Sequence, residues 1–277
     1  MSWDQLLEPG VVVRHSPLET DRFGCTIDRI TIGPGLVDDG LLAVIQELSA
    51  DVIIVRYDAA RLEVPGVLAR SPRALLPAGA LTYWDKAVSS DDERPSPSNL
   101  DVRSAEALDL ETVSMLVRDI VRASFSDYRN HYTANPLLDR SAALAGYEDW
   151  AVRTLADDPG NVLVMMQAGE PIGFATLETG ADAGHLEILL AGMAPAAQGK
   201  GLYGTLLDGC VGVALARGAQ RLVISTQVHN VRVQRAWARH GLRPFAAIET
   251  VHLVDRDLLQ ARPGGLAASD NLARCAT

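Results

Sequence analysis

A chain of 277 residues that is 48% hydrophobic can bury one large core or two small ones, and no apolar run in it reaches the length of a membrane span. A formal charge of −10 argues against a dedicated nucleic-acid binder, which needs a basic face to displace counterions. Cys25, Cys210 and Cys275 are odd in number and lack CxxC spacing, which points to a reducing, cytoplasmic setting and away from zinc. The opening MSWDQLLEPG has no basic stretch followed by a hydrophobic core, so no secretion signal is read there.

In chain order, VVVRHS, the run Cys25 to Ile32, VIIVRY (Val52 to Tyr57) and LTYW (Leu81 to Trp84) read as strands, with a helix around Val37 to Leu48. Residues 1–88 thus form a small α/β lobe without a phosphate loop. Its element order is similar to that of the second half, although internal identity does not establish a duplication. At SSDDERPSPSN (89–99) serines, prolines and charges replace the apolar pattern, as in an interdomain linker, and the acidic run Asp91-Asp92-Glu93 reads as solvated.

The second domain, residues 100–256, opens with a strand at Asp101 and Val102. A helix from Leu110 to Ser124 carries Val113, Leu116, Val117, Ile120 and Val121 at helical spacing. A second helix follows near Ala142 to Leu155, then a hairpin of Val162–Gln167 and Ile172–Glu178 turning at Gly169-Glu170-Pro171. A strand from His185 to Leu190, a helix ending at Gly218, a strand at Leu222–Val228 and a helix in Asn230–Leu242 complete the order. Asn230 suits the N-cap of that last helix and Gly241 its C-cap. Residues 257–277 read as a loose tail.

The most informative stretch is Leu186 to Leu207, LEILLAGMAPAAQGKGLYGTLL. An apolar strand is interrupted by Gly192 and Pro195, and Gln198-Gly199-Lys200-Gly201 then turns ahead of Leu202, Leu206 and Leu207. A helix starting near Gly199 to Gly201 aims unpaired N–H groups and the positive end of its dipole at an anion, Lys200 adds charge, and the glycines admit a close approach. A P-loop is excluded because Gly201, not Ser or Thr, follows Lys200. A dinucleotide fingerprint is excluded because the glycines stand at 199, 201 and 204 behind Pro195.

QxxGxG, with Gln198 and Gly201 in register, resembles instead the coenzyme A pyrophosphate loop of GNAT-type N-acyltransferases, with Tyr203 at the family's last glycine position. The element order from Leu100 to Val254 resembles that family as well. The resemblance implies the α/β GNAT fold, a mixed, strongly bent central sheet flanked by helices, here with a smaller N-terminal α/β lobe. It implies acetyl-CoA or another acyl-CoA as cosubstrate and no metal. The strand before the loop is expected to splay at a bulge, with the main chain of Gly192 and Met193 holding the pantetheine arm. The pyrophosphate is expected on Gln198, Gly199, Lys200, Gly201, Tyr203, Gly204 and Thr205, with Asn230 touching the coenzyme or acceptor.

For the base that deprotonates the amine, the first choice is Glu187, because it lies on the strand leading to the bulge; His185 shares its face by the two-residue period. The plainer readings are a Glu187 facing solvent or paired with an arginine, and a His185 that only opens the strand. Many relatives carry a tyrosine in the helix after the Asn as general acid, and Trp237 takes that position here. An indole N–H donates a hydrogen bond but does not deliver a proton. Tyr203 is a substitute, or a ring packed between helices. His229 reads as structural, Cys210 as a buried small residue, and Tyr83, Trp84 and Trp150 as core or lobe-interface aromatics.

A narrower resemblance, carried by PLETDRFGCTIDRI (Pro17 to Ile30), SFSDYRNHYTANPLL (Ser124 to Leu138) and YEDWA (Tyr147 to Ala151), is to TDP-fucosamine acetyltransferase and related enzymes that acylate amino groups of nucleotide-linked sugars. It implies that Tyr128, Arg129, His131, Tyr132 and Asn135 help to enclose the acceptor. The expected function is transfer of an acetyl or other acyl group from acyl-CoA directly to a primary amine of a small molecule, an amino sugar or a specialised metabolite. Two alternatives stay open: a GNAT-fold enzyme using a carrier-protein or aminoacyl-tRNA donor, and a noncatalytic acyl-CoA-binding regulatory module, which Trp237 permits. A carrier protein and a homodimer stay open as partners.

Overall fold

The computed structural model describes residues 3–35, 39–92, 99–126, 128–181 and 183–261. The first stretch contains α1 (Asp4–Leu7), β1 (Val11–His15), α2 (Pro17–Phe23), β2 (Ile27–Ile32), α3 (Asp39–Glu47), β3 (Val52–Asp58), α4 (Val64–Leu68) and β4 (Ala74–Ala87). The second contains β5 (Leu100–Ser104), α5 (Leu110–Phe125), α6 (Arg140–Asp157), β6 (Val162–Gln167), β7 (Glu170–Thr179), β8 (His185–Met193), α7 (Tyr203–Ala216), β9 (Arg221–Gln227), α8 (Val231–Arg239), β10 (Arg243–Val254) and α9 (Arg256–Ala261). Among the described residues, no helix is long and apolar enough to cross a membrane.

Local chemistry explains the main helices. Asp109 caps α5 by accepting from the Thr112 amide at 3.0 Å, and Asp139 caps α6 by accepting from Ala142 at 2.9 Å. The expected tail is helical in its first part, and residues 262–277, Cys275 among them, lie outside the described residues. So does most of the expected linker, 93–98; at its start Asp92 pairs with Lys86 at 2.7 Å and is not simply solvated.

Among the described residues, ten strands join one sheet in the order β1-β2-β3-β10-β4-β9-β8-β7-β6-β5, with β2–β3 and β8–β9 parallel and the other pairs antiparallel. The two stretches exchange strands. β10 enters between β3 and β4, while β4 enters between β10 and β9. β4 is also longer than the LTYW segment, because it begins at Ala74 and absorbs Pro77 and Gly79 through an irregular register with β10. β3, with six successive buried residues, is covered on both faces and reads as a continuous apolar run broken only by Arg56.

A buried polar seam ties α2 and β2 to the turn His131–Ala134. Glu19 receives Arg29 at 2.5 Å and the Tyr132 hydroxyl at 2.5 Å. Burial pushes the Glu19 carboxyl up, but the Arg29 charge and the hydrogen bonds from Arg29, Ser16 and Tyr132 outweigh it and hold the group down at about 2. A depressed carboxyl stabilises the fold above its ordinary range near 4.5, and that contribution fades as pH falls toward 2. Glu19→Gln is therefore expected to destabilise the protein by roughly 3–5 kcal/mol at pH 7, since it leaves Arg29 buried and uncompensated. Urea unfolding should show the gap between wild type and variant narrowing as pH falls below 4.5; a gap independent of pH would contradict this account.

Candidate active site

β8 and β9 are hydrogen-bonded only over His185–Ile188 and Arg221–Ile224, and beyond these residues the two parallel strands part. On its other side β8 stays paired with β7 as far as Met193. The register skips one residue, since Thr176 faces Leu190 and Leu177 faces Ile188. The bulge is thus at Leu189 and not at Gly192 or Met193, which pair regularly with Phe174 and Gly173. From Leu189 to Met193 the side of β8 toward β9 is an open edge, with N–H and C=O groups for an extended ligand. Gly192 has a packing reason: a Cβ there would fall 2.5 Å from Ile120 Cγ2 of α5.

The loop after β8 is held by Gln198, whose Nε2 donates to the Met193 carbonyl at 3.0 Å. Gly199 and Gly201 have φ of 75° and 76°, a region that disfavours other residues. α7 begins at Tyr203 with Leu202 as its N-cap, two residues later than expected, so the amides of the glycine turn precede the helix. Gln198, Gly199, Gly201 and Tyr203 line a cleft of about 500 Å³ together with Gly192 and Met193. Lys200 is exposed outside that lining, Gly204 faces the ring of His240, and the Thr205 amide is spent on the Leu202 carbonyl.

At the point where β8 leaves β9, Glu187 reaches the same cleft. It is 2% exposed and accepts a hydrogen bond from the Trp3 amide at 2.6 Å. Burial raises its pKa to about 7, with the charges of Glu178 and Asp4 adding to the effect and the Trp3 N–H opposing it. It does not face solvent. His185 is not part of the cleft: its ring packs on Gly180, and its Nε2 lies 3.8 Å from Asp4 Oδ1. The two residues share a strand face, but only Glu187 lies where the strands part.

Trp237 is buried in the cleft wall and its indole N–H donates to the Tyr203 hydroxyl at 3.3 Å. The phenol therefore stands beside the ring that occupies the expected acid position. Burial pushes the Tyr203 hydroxyl up to about 12. Cys210 is fully buried in α7 with its thiol also raised by burial, as suits a packing residue. Asn230 lines the cleft and stands at the N-cap position of α8 as expected, without a side-chain capping bond; its Nδ2 donates instead to Thr226 Oγ1 at 3.0 Å. Gly241, with φ of 89°, follows the end of α8 as expected, and the Leu242 amide closes onto the Trp237 carbonyl at 3.0 Å.

Of the residues expected at the acceptor, Tyr128 and His131 line the cleft. The Tyr128 hydroxyl accepts from the Gln227 amide at 3.2 Å and lies 3.2 Å from Thr226 Oγ1. Asn135 and Tyr132 stand behind this wall, and Arg129 is exposed outside it. Asn135 Nδ2 and His252 Nδ1 are 3.1 Å apart, as are His252 Nε2 and His131 Nδ1. With Asn135 donating, neutral His252 carries its proton on Nε2 and passes a hydrogen bond to His131. Burial, then the Arg56 charge, keeps both imidazoles neutral. Arg56, Tyr83 and Arg232 are among the lining residues that had no part in the sequence reading of the site. Their only sequence signal is the arginine inside the apolar run VIIVRY. Among the described residues, no three His, Cys, Asp or Glu side chains converge as a metal site.

A parted pair of parallel strands, a glycine turn and a buried carboxyl thus meet in one cleft. Residues 117–242 match the model of the acetyltransferase (GNAT) family. Solved structures share the mixed α/β fold. A GCN5-related N-acetyltransferase from Sphaerobacter thermophilus is 14% identical over 88% of this chain and 76% of its own, with a TM-score of 0.58. A GNAT-family acetyltransferase from Colwellia psychrerythraea is 13% identical over 84% and 80%, with a TM-score of 0.51. A conserved protein of unknown function from Staphylococcus epidermidis is 12% identical over 92% and 98%, with a TM-score of 0.52. No curated protein matches the sequence.

The glycine turn supplies a direct test. Gly201→Ala forces a side chain into the left-handed region at a cost of about 1–2 kcal/mol, and calorimetry should show acetyl-CoA affinity falling roughly tenfold or more. Unchanged affinity would remove this turn from coenzyme binding.

Proposed function

We propose that the protein transfers an acetyl group from acetyl-CoA to a primary amine of a small molecule held at the Glu187 end of the cleft. The observation that carries this reading is the position of Glu187, a buried carboxyl with a pKa near 7 where β8 parts from β9, in the cleft that also holds the glycine turn. The open edge of β8 from Leu189 to Met193 would hold the pantetheine arm, and the amides around Gly199 and Gly201 the pyrophosphate. Amino-sugar acceptors follow from the resemblance of the Ser124–Leu138 segment, of which Tyr128 and His131 reach the cleft.

Bound acyl-CoA supplies its acyl group as an activated thioester. Glu187 takes the proton of the acceptor ammonium, directly or through a water, so that the nitrogen lone pair is free to form the new bond to the acyl carbon. N–H groups on the open edge of β8 donate to the carbonyl oxygen as it gains charge, and the walls hold both reactants together. As the carbon–sulfur bond breaks, Tyr203 donates a hydrogen bond to the departing sulfur, and Trp237 orients the phenol through its oxygen. A phenol raised to about 12 keeps its proton against a thiol near ~8.5, so water completes the protonation of sulfur. A phenol beside Trp237 favours retained turnover over a noncatalytic module.

Glu187→Gln should lower turnover by roughly 10²–10⁴-fold while acetyl-CoA affinity stays near wild type. The base form of Glu187 grows as pH rises through about 7, so wild-type kcat/KM should climb through that region, and the variant should lose the limb. Mass-spectrometric assay of transfer to amino sugars and amino acids checks both; full turnover in Glu187→Gln would overturn the assignment. Tyr203→Phe should reduce kcat roughly 10–100-fold, the worth of a hydrogen bond to a charged atom, and an unchanged kcat would assign the ring to packing.

A further inference from the structure

Glu187 is nearly sealed in the sheet, and a carboxylate taken out of water needs partners of its own. Its direct neighbour across the β7–β8 ladder is a second acid, Glu178, and Asp4 acts on it from the N-terminal segment. Tyr83 on β4 is a neutral phenol, because burial and then the Glu187 charge oppose its ionisation. Burial and the two acids favour the protonated form of Glu187, while the Trp3 N–H and the amino-terminal charge favour the ionised one. Among the described residues, the Trp3 amide is the one hydrogen-bond donor to this side chain, 2.6 Å from Oε2.

That amide is anchored on both sides of the carboxyl. The Trp3 ring lies 5.0 Å from Tyr83 of β4 and edge-on at 4.8 Å from Phe245 of β10. Leu6, whose own amide returns to the Trp3 carbonyl at 2.9 Å, is buried with Tyr83, Val223 and Ile248. On the other side, Asp4 Oδ2 accepts from the Ala181 amide at 2.8 Å, in the connection between β7 and β8. The Trp3 N–H meets Glu187 between these two anchors. A backbone donor held in this way has no rotamer to lose, and it takes one carboxylate oxygen while the side chain still borders the cleft.

We propose that Trp3 is a positioning residue for the general base: its ring clamps its own amide onto Oε2 of Glu187, which keeps the carboxylate in one orientation with Oε1 toward the acceptor. This rests on the reading of Glu187 as the base. Trp3 is not in the cleft lining and acts through the carboxylate.

Loss of the amide should make Glu187 harder to ionise. Trp3 has φ of −55°, an angle that proline adopts, so Trp3→Pro deletes the N–H and keeps the backbone angle, whereas Trp3→Ala deletes the ring and keeps the N–H. The rising limb of kcat/KM for acetyl transfer to amino sugars and amino acids should move up by about one pH unit in Trp3→Pro, as one hydrogen bond to a charged group warrants, and by less in Trp3→Ala. Above the limb both variants should approach the wild-type plateau, which a loosened fold would not allow, and thermal melting reports whether each is folded. A second measurement needs no substitution at the amide. In the full chain labelled with 15N-tryptophan, which has four such residues, the Trp3 amide proton, identified by its loss in Trp3→Ala, should titrate with a midpoint near 7 and cease to do so in Glu187→Gln. A Trp3 amide that does not titrate, or a limb in folded Trp3→Pro no higher than in Trp3→Ala, would overturn the proposal while leaving Glu187 as the base. Full turnover in Glu187→Gln would instead contradict the base itself, and this proposal with it.

Discussion

The structure depends on the place where two parallel strands stop pairing. β8 and β9 share a ladder through Ile188 and Ile224 and then separate, while β7 keeps its hold on β8. Unpaired backbone groups inside a protein are costly, so an edge of this kind persists only where a partner supplies the missing hydrogen bonds. The bulge at Leu189 turns the strand at that point, and α5 packs closely enough on Gly192 to fix the wall behind it. The glycine turn, Glu187 and Trp237 are all placed relative to this gap.

Strand exchange gives the gap its far wall. With β4 between β9 and β10, and β10 between β3 and β4, the first 87 residues share one sheet with the acyltransferase half. Tyr83 and Arg56 come from that first stretch, and Glu187 comes from the second. Trp3 completes the arrangement from the N-terminal side, since its ring packs 5.0 Å from Tyr83 and its amide bonds Glu187. The cleft is thus lined from both halves.

Much of this was legible in the sequence where the determinants are local. The helix in Leu110–Ser124 and the hairpin around Gly169 are periodic and end in ordinary caps or turns, so their bounds lie within a few residues of the observed ones. The glycine turn was legible because only backbone chemistry explains its composition. Pairing between distant strands was not. Nothing local in RPFAAIETVHLV says that it lies between β3 and β4, and Pro77 and Gly79 hid half of β4. The bulge was misplaced to Gly192 and Met193 because it is a matter of register, which composition does not encode. His185 and Glu187 look equivalent by period, and only the end of the β8–β9 ladder separates them.

Hydrogen–deuterium exchange on the full chain with and without acetyl-CoA tests the central claim, that the coenzyme completes the open edge of β8 and the glycine turn. The account predicts slower exchange in peptides covering 189–193 and 198–204, with little change in β1 and β2. Protection elsewhere with these two segments unchanged would contradict it.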